Sequence, residues 1–188
     1  MTRGQTIVSS AVLVVLAGTA AWSQAAQREM QTGVKTADTG YVTSLPVEVS
    51  LADAEQAERS VLEGFQLLRD ATAAAGFTPL GKARVVAQIS MQAPPQGNVS
   101  FLLQLFVIEQ PTDEDLKATH DFDLLPVEAE KVAYTFHKGP VRQAQLTFMR
   151  LAQWTMANNL DFGGYPYMIL HDTSGKAPEV IEVQLPVK

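Results

Sequence analysis

Glu182 is a carboxylate set inside an apolar run near the C-terminus, VIEVQLPV, and aromatic residues fall on the segments that precede it: Tyr134 and Phe136, then Trp154, then Tyr165 and Tyr167. A carboxylate beside aromatic faces attracts an organic cation twice, through its charge and through the ring quadrupole. In an extended strand Ile181, Val183, Leu185 and Val187 share one face, and Val180, Glu182, Gln184 and Pro186 share the other. Glu182 therefore points away from the face that helices cover. It is either a surface carboxylate in open water or the lining of a groove, where desolvation would raise its pKa and favour a cationic ligand. Taken singly, Phe136, Phe148 and Trp154 read first as core, and Trp154 also as a ring within reach of such a groove. The phenols of Tyr165 and Tyr167 want a polar partner and are the better ligand contacts.

The elements that must hold these residues follow from periodicity. Ala57, Val61, Gly64, Leu68 and Ala71 recur at helical spacing after Ser50 and Asp53, which resemble a capping box with Asp in place of Glu, and Gly76 ends the pattern. This predicts a helix over about 53–75. Residues 83–91 alternate apolar and polar, as a strand with one wet face does. Pro94, Pro95 and Gly97 then turn the chain, and Val99 to Ile108 is nearly continuous apolar, a strand covered on both faces. Residues 110–120 are acidic and polar, a solvated connection.

The second half repeats this order: a strand at about 130–137, a helix at about 141–158 with Val141, Ala144, Phe148, Leu151 and Thr155 on one stripe, and strands at about 165–171 and 179–187. If TGYVTSLPVEV supplies the opening strand, short or at an edge because of Pro46, two βαββ units emerge. The expected fold is α+β: two βαββ repeats forming a curved antiparallel sheet with two helices, and a ligand groove between the helices where the halves meet.

Arg3, the apolar run Ile7 to Trp22, and the small residues Ala21, Ser23, Ala25 and Ala26 have the order of an export signal over residues 1–25. Cleavage there predicts a periplasmic or secreted protein with no stable membrane span, an uncleaved anchor being the alternative. Residues 26–45, polar and without a clear period, read as a flexible tether, and 46–188 as the one folded domain. Without Arg3 the chain holds 13 Lys and Arg against 20 Asp and Glu, a net charge of −7, which argues against nucleic acid as a partner. The chain has no cysteine, which removes disulfides, thiolate metal sites and cysteine nucleophiles. His120, His137 and His171 are scattered, so no metal is expected, and nothing in the pattern calls for a cofactor. Phosphate loops and nucleophile elbows are missing from the sequence, and Asp161-Phe-Gly-Gly reads as a helix exit.

The stretches VAYTFHKGPV, LAQW, NNLDFGGYP and VIEVQLPV, spanning Val132 to Val187, resemble the second half of a GyrI-like small-molecule-binding domain, the ligand module of several bacterial drug-sensing regulators. The first half matches in element order far better than in residues. The resemblance implies an effector-binding domain over 46–188, with Glu182 at the position of the family's groove acid, and a small organic ligand that is cationic or amphipathic. Some relatives resemble hydrolases that open strained cyclopropane rings with a glutamate and a tyrosine. Glu182 with Tyr134, Tyr165 or Tyr167 would be that pair, the carboxylate as base or charge stabiliser and the phenol as proton donor. Further alternatives are a protein-interaction module and a haem-binding protein of the SOUL type, which shares the two-repeat fold.

Overall fold

Period-two alternation marks some of the strands here, pairing at the sheet makes the others, and two apolar stripes of helical period build the helices that cover one side of them. The computed structural model describes residues 31–50, 52–88, 98–139, 143–171 and 180–188. Its elements, in chain order, are β1 (Gly33–Thr36), β2 (Gly40–Ser50), α1 (Ala54–Ala74), β3 (Pro79–Ala87), β4 (Asn98–Val107), a 3-10 turn at Asp115–Lys117, β5 (Asp123–Val127), β6 (Lys131–Lys138), α2 (Ala144–Ala157), β7 (Tyr167–Leu170) and β8 (Val180–Pro186). All lie in one compact unit, Thr32–Lys188.

The strands form one curved, unclosed antiparallel sheet in the order β1-β6-β8-β7-β3-β4-β2-β5. Each half is a βαββ unit: β2, α1, β3 and β4, then β6, α2, β7 and β8. The last strand of each unit lies between the other two. The halves join where β3 pairs with β7, Arg84 opposite Ile169 and Val86 opposite Tyr167. The α+β two-repeat architecture read from periodicity is the observed one, with β1 and β5 added at the two edges.

Both helices pack on the same face. Phe65 and Leu68 of α1 join Val85, Leu103, Leu105 and Ile181 in one core cluster, and Leu151 of α2 joins Ala133, Val183 and Leu185 in another. Each such side chain contributes about 1.5–3 kcal/mol when fully buried. Gly64 lets α1 approach: a Cβ there would lie 2.6 Å from Leu103 Cδ1 and 3.0 Å from Val47 Cγ2. A buried hydrogen bond of 2.8 Å between Thr43 and Thr72 ties β2 to α1. Helix α1 ends where the Gly76 and Phe77 amides turn back to the Ala73 and Thr72 carbonyls, with Gly76 at φ +88°, a conformation that an L side chain rarely adopts.

Several expectations need correction. The stretch 26–45 is not a tether throughout, since β1 and the first half of β2 lie inside it. Strand β1 escaped the reading because four residues with Gly33 among them carry little strand pattern, and edge pairing supplies what propensity lacks. Strand β2 is the opening strand that TGYVTSLPVEV offered, but at 11 residues and lying between β4 and β5 it is neither short nor at an edge. Asp53, and not Ser50, caps α1: its carboxylate accepts from the Glu55 and Gln56 amides, at 3.0 Å each, while Ser50 ends β2. The connection read as a plain loop holds the 3-10 turn and is followed by edge strand β5. The signal over 1–25, residues 89–97 with Met91 and the expected turn, and Val141 lie outside the described residues. Among the described residues no helix is long and apolar enough to cross a membrane.

Candidate functional site

Strand β8 runs between β6 and β7, and alternation places Glu182 and Gln184 on the face of the sheet opposite the two helices. Phe136 of β6 and Ile169 of β7 flank Glu182, and Tyr134 and Tyr167 flank Gln184. A site containing Glu182 therefore opens away from the helices and not between them. Glu182 is only 3% exposed. A buried carboxylate needs partners, and among the described residues it has three. The Lys35 ammonium lies 2.5 Å from Oε1, the Gln184 amide donates to Oε1 at 2.7 Å, and His171 Nε2 lies 3.5 Å from Oε2.

Lys35 comes from β1, and its ammonium also stands 5.1 Å from the centre of the Tyr134 ring, which meets Phe136 edge-on at 6.0 Å. The same grouping of cation, ring and carboxylate recurs twice. Arg84 stacks 3.9 Å over Tyr167 and lies 3.6 Å from Glu130, to which the Tyr167 hydroxyl donates at 3.0 Å. Lys82 lies 4.9 Å over Phe106 and pairs with Asp38. The chemistry that recognises an organic cation is thus present three times, each time engaged by a cation of the chain itself.

The electrostatics follow from these contacts. Burial pushes the Tyr167 phenol well above its ordinary value of 10.0, with the nearby Arg84 guanidinium opposing and the Glu130 charge adding to the rise. A phenol so held donates a hydrogen bond and does not ionise. Asp38 is held below its ordinary value of 3.8, chiefly by the hydrogen bond from Lys82, against a smaller opposing effect of burial.

Among the described residues, four buried side-chain atoms make no hydrogen bond: Ser44 Oγ, Gln104 Oε1, Arg84 Nε and Gln184 Oε1. The first three belong to residues neighbouring in register, Ser44 beside Gln104 and Gln104 beside Arg84. Unmatched polar atoms in a protein interior are uncommon.

The structure brings some of the expected residues together and separates others. Glu182 and Tyr134 meet through Lys35. Tyr167 shares their face, but its hydroxyl is spent on Glu130. Tyr165 precedes β7 and is 53% exposed. Trp154 packs with Leu151, Val183 and Leu185 on the helix-covered side, with the sheet between it and Glu182. Sequence reasoning missed Lys35, Lys82, Arg84, Asp38, Glu130, Gln104 and Gln184. Arg84 read as a residue of a wet face, and Lys35 lay in a stretch without period. Alternation did put Gln184 beside Glu182, the one signal available. Among the described residues no group of three or more His, Cys, Asp or Glu could hold a metal ion.

No family model matches the chain, and no curated protein matches it. Solved structures do. EcmrR, in the cryo-EM structure of its DNA complex, matches at TM-score 0.68 and 17% identity over 93% of this chain; this chain spans 65% of that regulator's length. The isolated EcmrR C-terminal domain matches at TM-score 0.62 and 15% identity, covering 85% of this chain and 98% of the domain. SAV2435 bound to tetraphenylphosphonium matches at TM-score 0.52 and 12% identity, over 85% of this chain and 94% of that one. At these identities the likeness is one of fold, and that fold is the GyrI-like fold.

Proposed function

We propose that the protein is a small-molecule-binding module whose ligand, a cationic or amphipathic organic compound, sits on the helix-free face of the sheet over Glu182 and the rings of Tyr134 and Phe136. The observation that carries this reading is the buried Glu182 carboxylate holding an ammonium against an aromatic face. A carboxylate that served solubility alone would lie in water; one kept in the sheet interior beside the Phe136 and Tyr134 rings is arranged to select a positive charge. Ile169, Val132 and Val86 add an apolar floor beside it, suited to the body of an amphipathic molecule. The fold supports the reading, because SAV2435 carries tetraphenylphosphonium on the same architecture. An exported location, periplasmic or secreted, is part of the proposal and rests on the N-terminal sequence alone.

The test is a thermal-shift comparison of organic cations with neutral compounds of the same shape, on wild-type protein and on Glu182→Gln. A ligand at about a hundred times its Kd stabilises by about 2.7 kcal/mol. Cations are expected to stabilise the wild type and to lose most of that effect in Glu182→Gln. Equal stabilisation of both proteins overturns the assignment.

A further inference from the structure

The cation that Glu182 holds is supplied by a strand outside both repeats. Strand β1 is four residues long, lies at the edge of the sheet and, among the described strands, hydrogen-bonds only β6. Besides that ladder and the Lys35 contacts, two hydrogen bonds from the residues flanking it hold it among the described residues: Thr32 Oγ1 donates to Thr135 Oγ1 at 3.1 Å, and the Ala37 amide donates to the Glu130 carbonyl at 2.8 Å. Its side chains alternate half-buried and exposed. An edge strand with so little core is among the cheapest parts of a fold to detach.

Strand β1 also covers the ring that a ligand would use. A Cβ on Gly33 would lie 3.3 Å from Tyr134 Cε1, so the β1 backbone runs directly against Tyr134, and the Lys35 ammonium stands near the same ring. Lys35 makes both contacts expected of a bound organic cation, the carboxylate and the ring face. Beside them the Gln184 amide gives its N–H to Glu182 and leaves its oxygen buried without a partner. Only an N–H or O–H donor can satisfy that oxygen.

We propose that Lys35 is an internal ligand, and that the molecule taken by this face carries a primary ammonium on an aromatic body and binds by exchanging with Lys35. This rests on the reading of the Glu182 face as the ligand site, and it names the ligand class and the way that site is regulated. The exchange conserves charge: one ammonium leaves the carboxylate and another arrives, so the buried acid is never left bare. The incoming group has N–H bonds to spare for Gln184, which a quaternary cation lacks. Release of Lys35 removes the side-chain anchor of β1, so binding loosens the sheet edge. Because Lys35 is tethered, it competes at high effective concentration and lowers the affinity for any free amine.

The experiment uses the full chain and two probes with the same body, phenethylammonium and phenethyltrimethylammonium, titrated by calorimetry into wild type, Lys35→Met and Glu182→Gln. Hydrogen exchange of the Gly33–Thr36 amides is followed in wild type with and without saturating probe. Lys35→Met is expected to bind phenethylammonium about tenfold more tightly than wild type, in the usual range of coupling between sites. The trimethyl probe is expected to bind more weakly than phenethylammonium to both proteins, Glu182→Gln to lose the preference, and the β1 amides to exchange faster in the wild-type complex. Unchanged or weaker binding by Lys35→Met, equal binding of the two probes, or β1 amides unmoved in a complex that still needs Glu182 overturns the exchange and leaves the face as a ligand site. Should Lys35→Met fail to fold, the probe pair and the exchange measurement on wild type decide alone. If neither probe nor any neutral aromatic binds wild type or Lys35→Met, the ligand site itself is wrong.

Discussion

Lys35 Nζ lies 2.5 Å from Glu182 Oε1, an ion pair that reaches across β6 to join β1 to β8, the first and last strands in chain order. Lys35 keeps a third of its side chain in water while Glu182 is almost wholly enclosed, so the two residues do not contribute equally. Removing the lysine leaves a buried carboxylate with the Gln184 amide and His171 as its remaining partners; removing the acid leaves an ammonium that can turn to solvent.

Stability should reflect that asymmetry. Lys35→Met is expected to lower unfolding free energy by about 1–3 kcal/mol, below the full penalty for breaking an enclosed pair because Lys35 is partly solvated. Glu182→Gln, which keeps the shape and the Gln184 contact, should lose less, and the double variant should recover part of the Lys35→Met loss. Urea unfolding of the four proteins measures this, and additive losses would contradict it.

Acid and alkali should act through Asp38 and Tyr167. The Asp38 pKa is lowered by folding, so its stabilisation is present above its ordinary value of 3.8 and is lost as pH falls through the depressed folded value. The Tyr167 pKa is raised, so its share is present below its ordinary value of 10.0 and is lost as pH rises above it, when the unfolded phenol ionises first. Asp38→Asn is expected to flatten the acid limb of the stability profile and Tyr167→Phe the alkaline limb, read by denaturant unfolding across pH. Unchanged limbs would show that these contacts carry no stability.

Gly64 gives a prediction of packing. Alanine is normally worth about 1 kcal/mol over glycine inside a helix. Here its methyl would press on Leu103 and Val47, and Leu103 has no exposed surface into which to yield. Gly64→Ala is expected to lower stability by about 1–2 kcal/mol net, the overpacking outweighing the propensity gain. Gly64→Ala combined with Leu103→Val should be milder than the sum of the two, seen as a smaller fall in Tm.

Trp154 separates a core role from a ligand role. It packs on α2 against the side of the sheet that faces away from Glu182. Trp154→Phe is expected to lower stability by about 1–2 kcal/mol through lost packing and to leave the affinity for organic cations unchanged. A loss of affinity at preserved stability would return Trp154 to the ligand site.

Much of this protein is legible along the chain. The stripe of Val61, Gly64, Leu68 and Ala71 marks α1, alternation marks β3 and β8, and the same alternation assigns Glu182 and Gln184 to the side opposite the helices. These are local properties, because helical and strand periods are set by the backbone of each segment and need no knowledge of its neighbours. The short strands β1 and β5 were not legible, since four or five residues with glycine, proline or charge among them form strands only when an edge is offered. Nor was the partner of Glu182. Which cation meets a buried carboxylate depends on which strand closes the sheet edge and in what register, and a shift of one residue would turn Lys35 to the other face. The order of residues therefore determined the elements and the side of the sheet on which the acid stands. Sheet pairing alone decided that the acid would be met by an ammonium of its own chain, because that contact joins segments far apart in sequence that only the folded edge brings together.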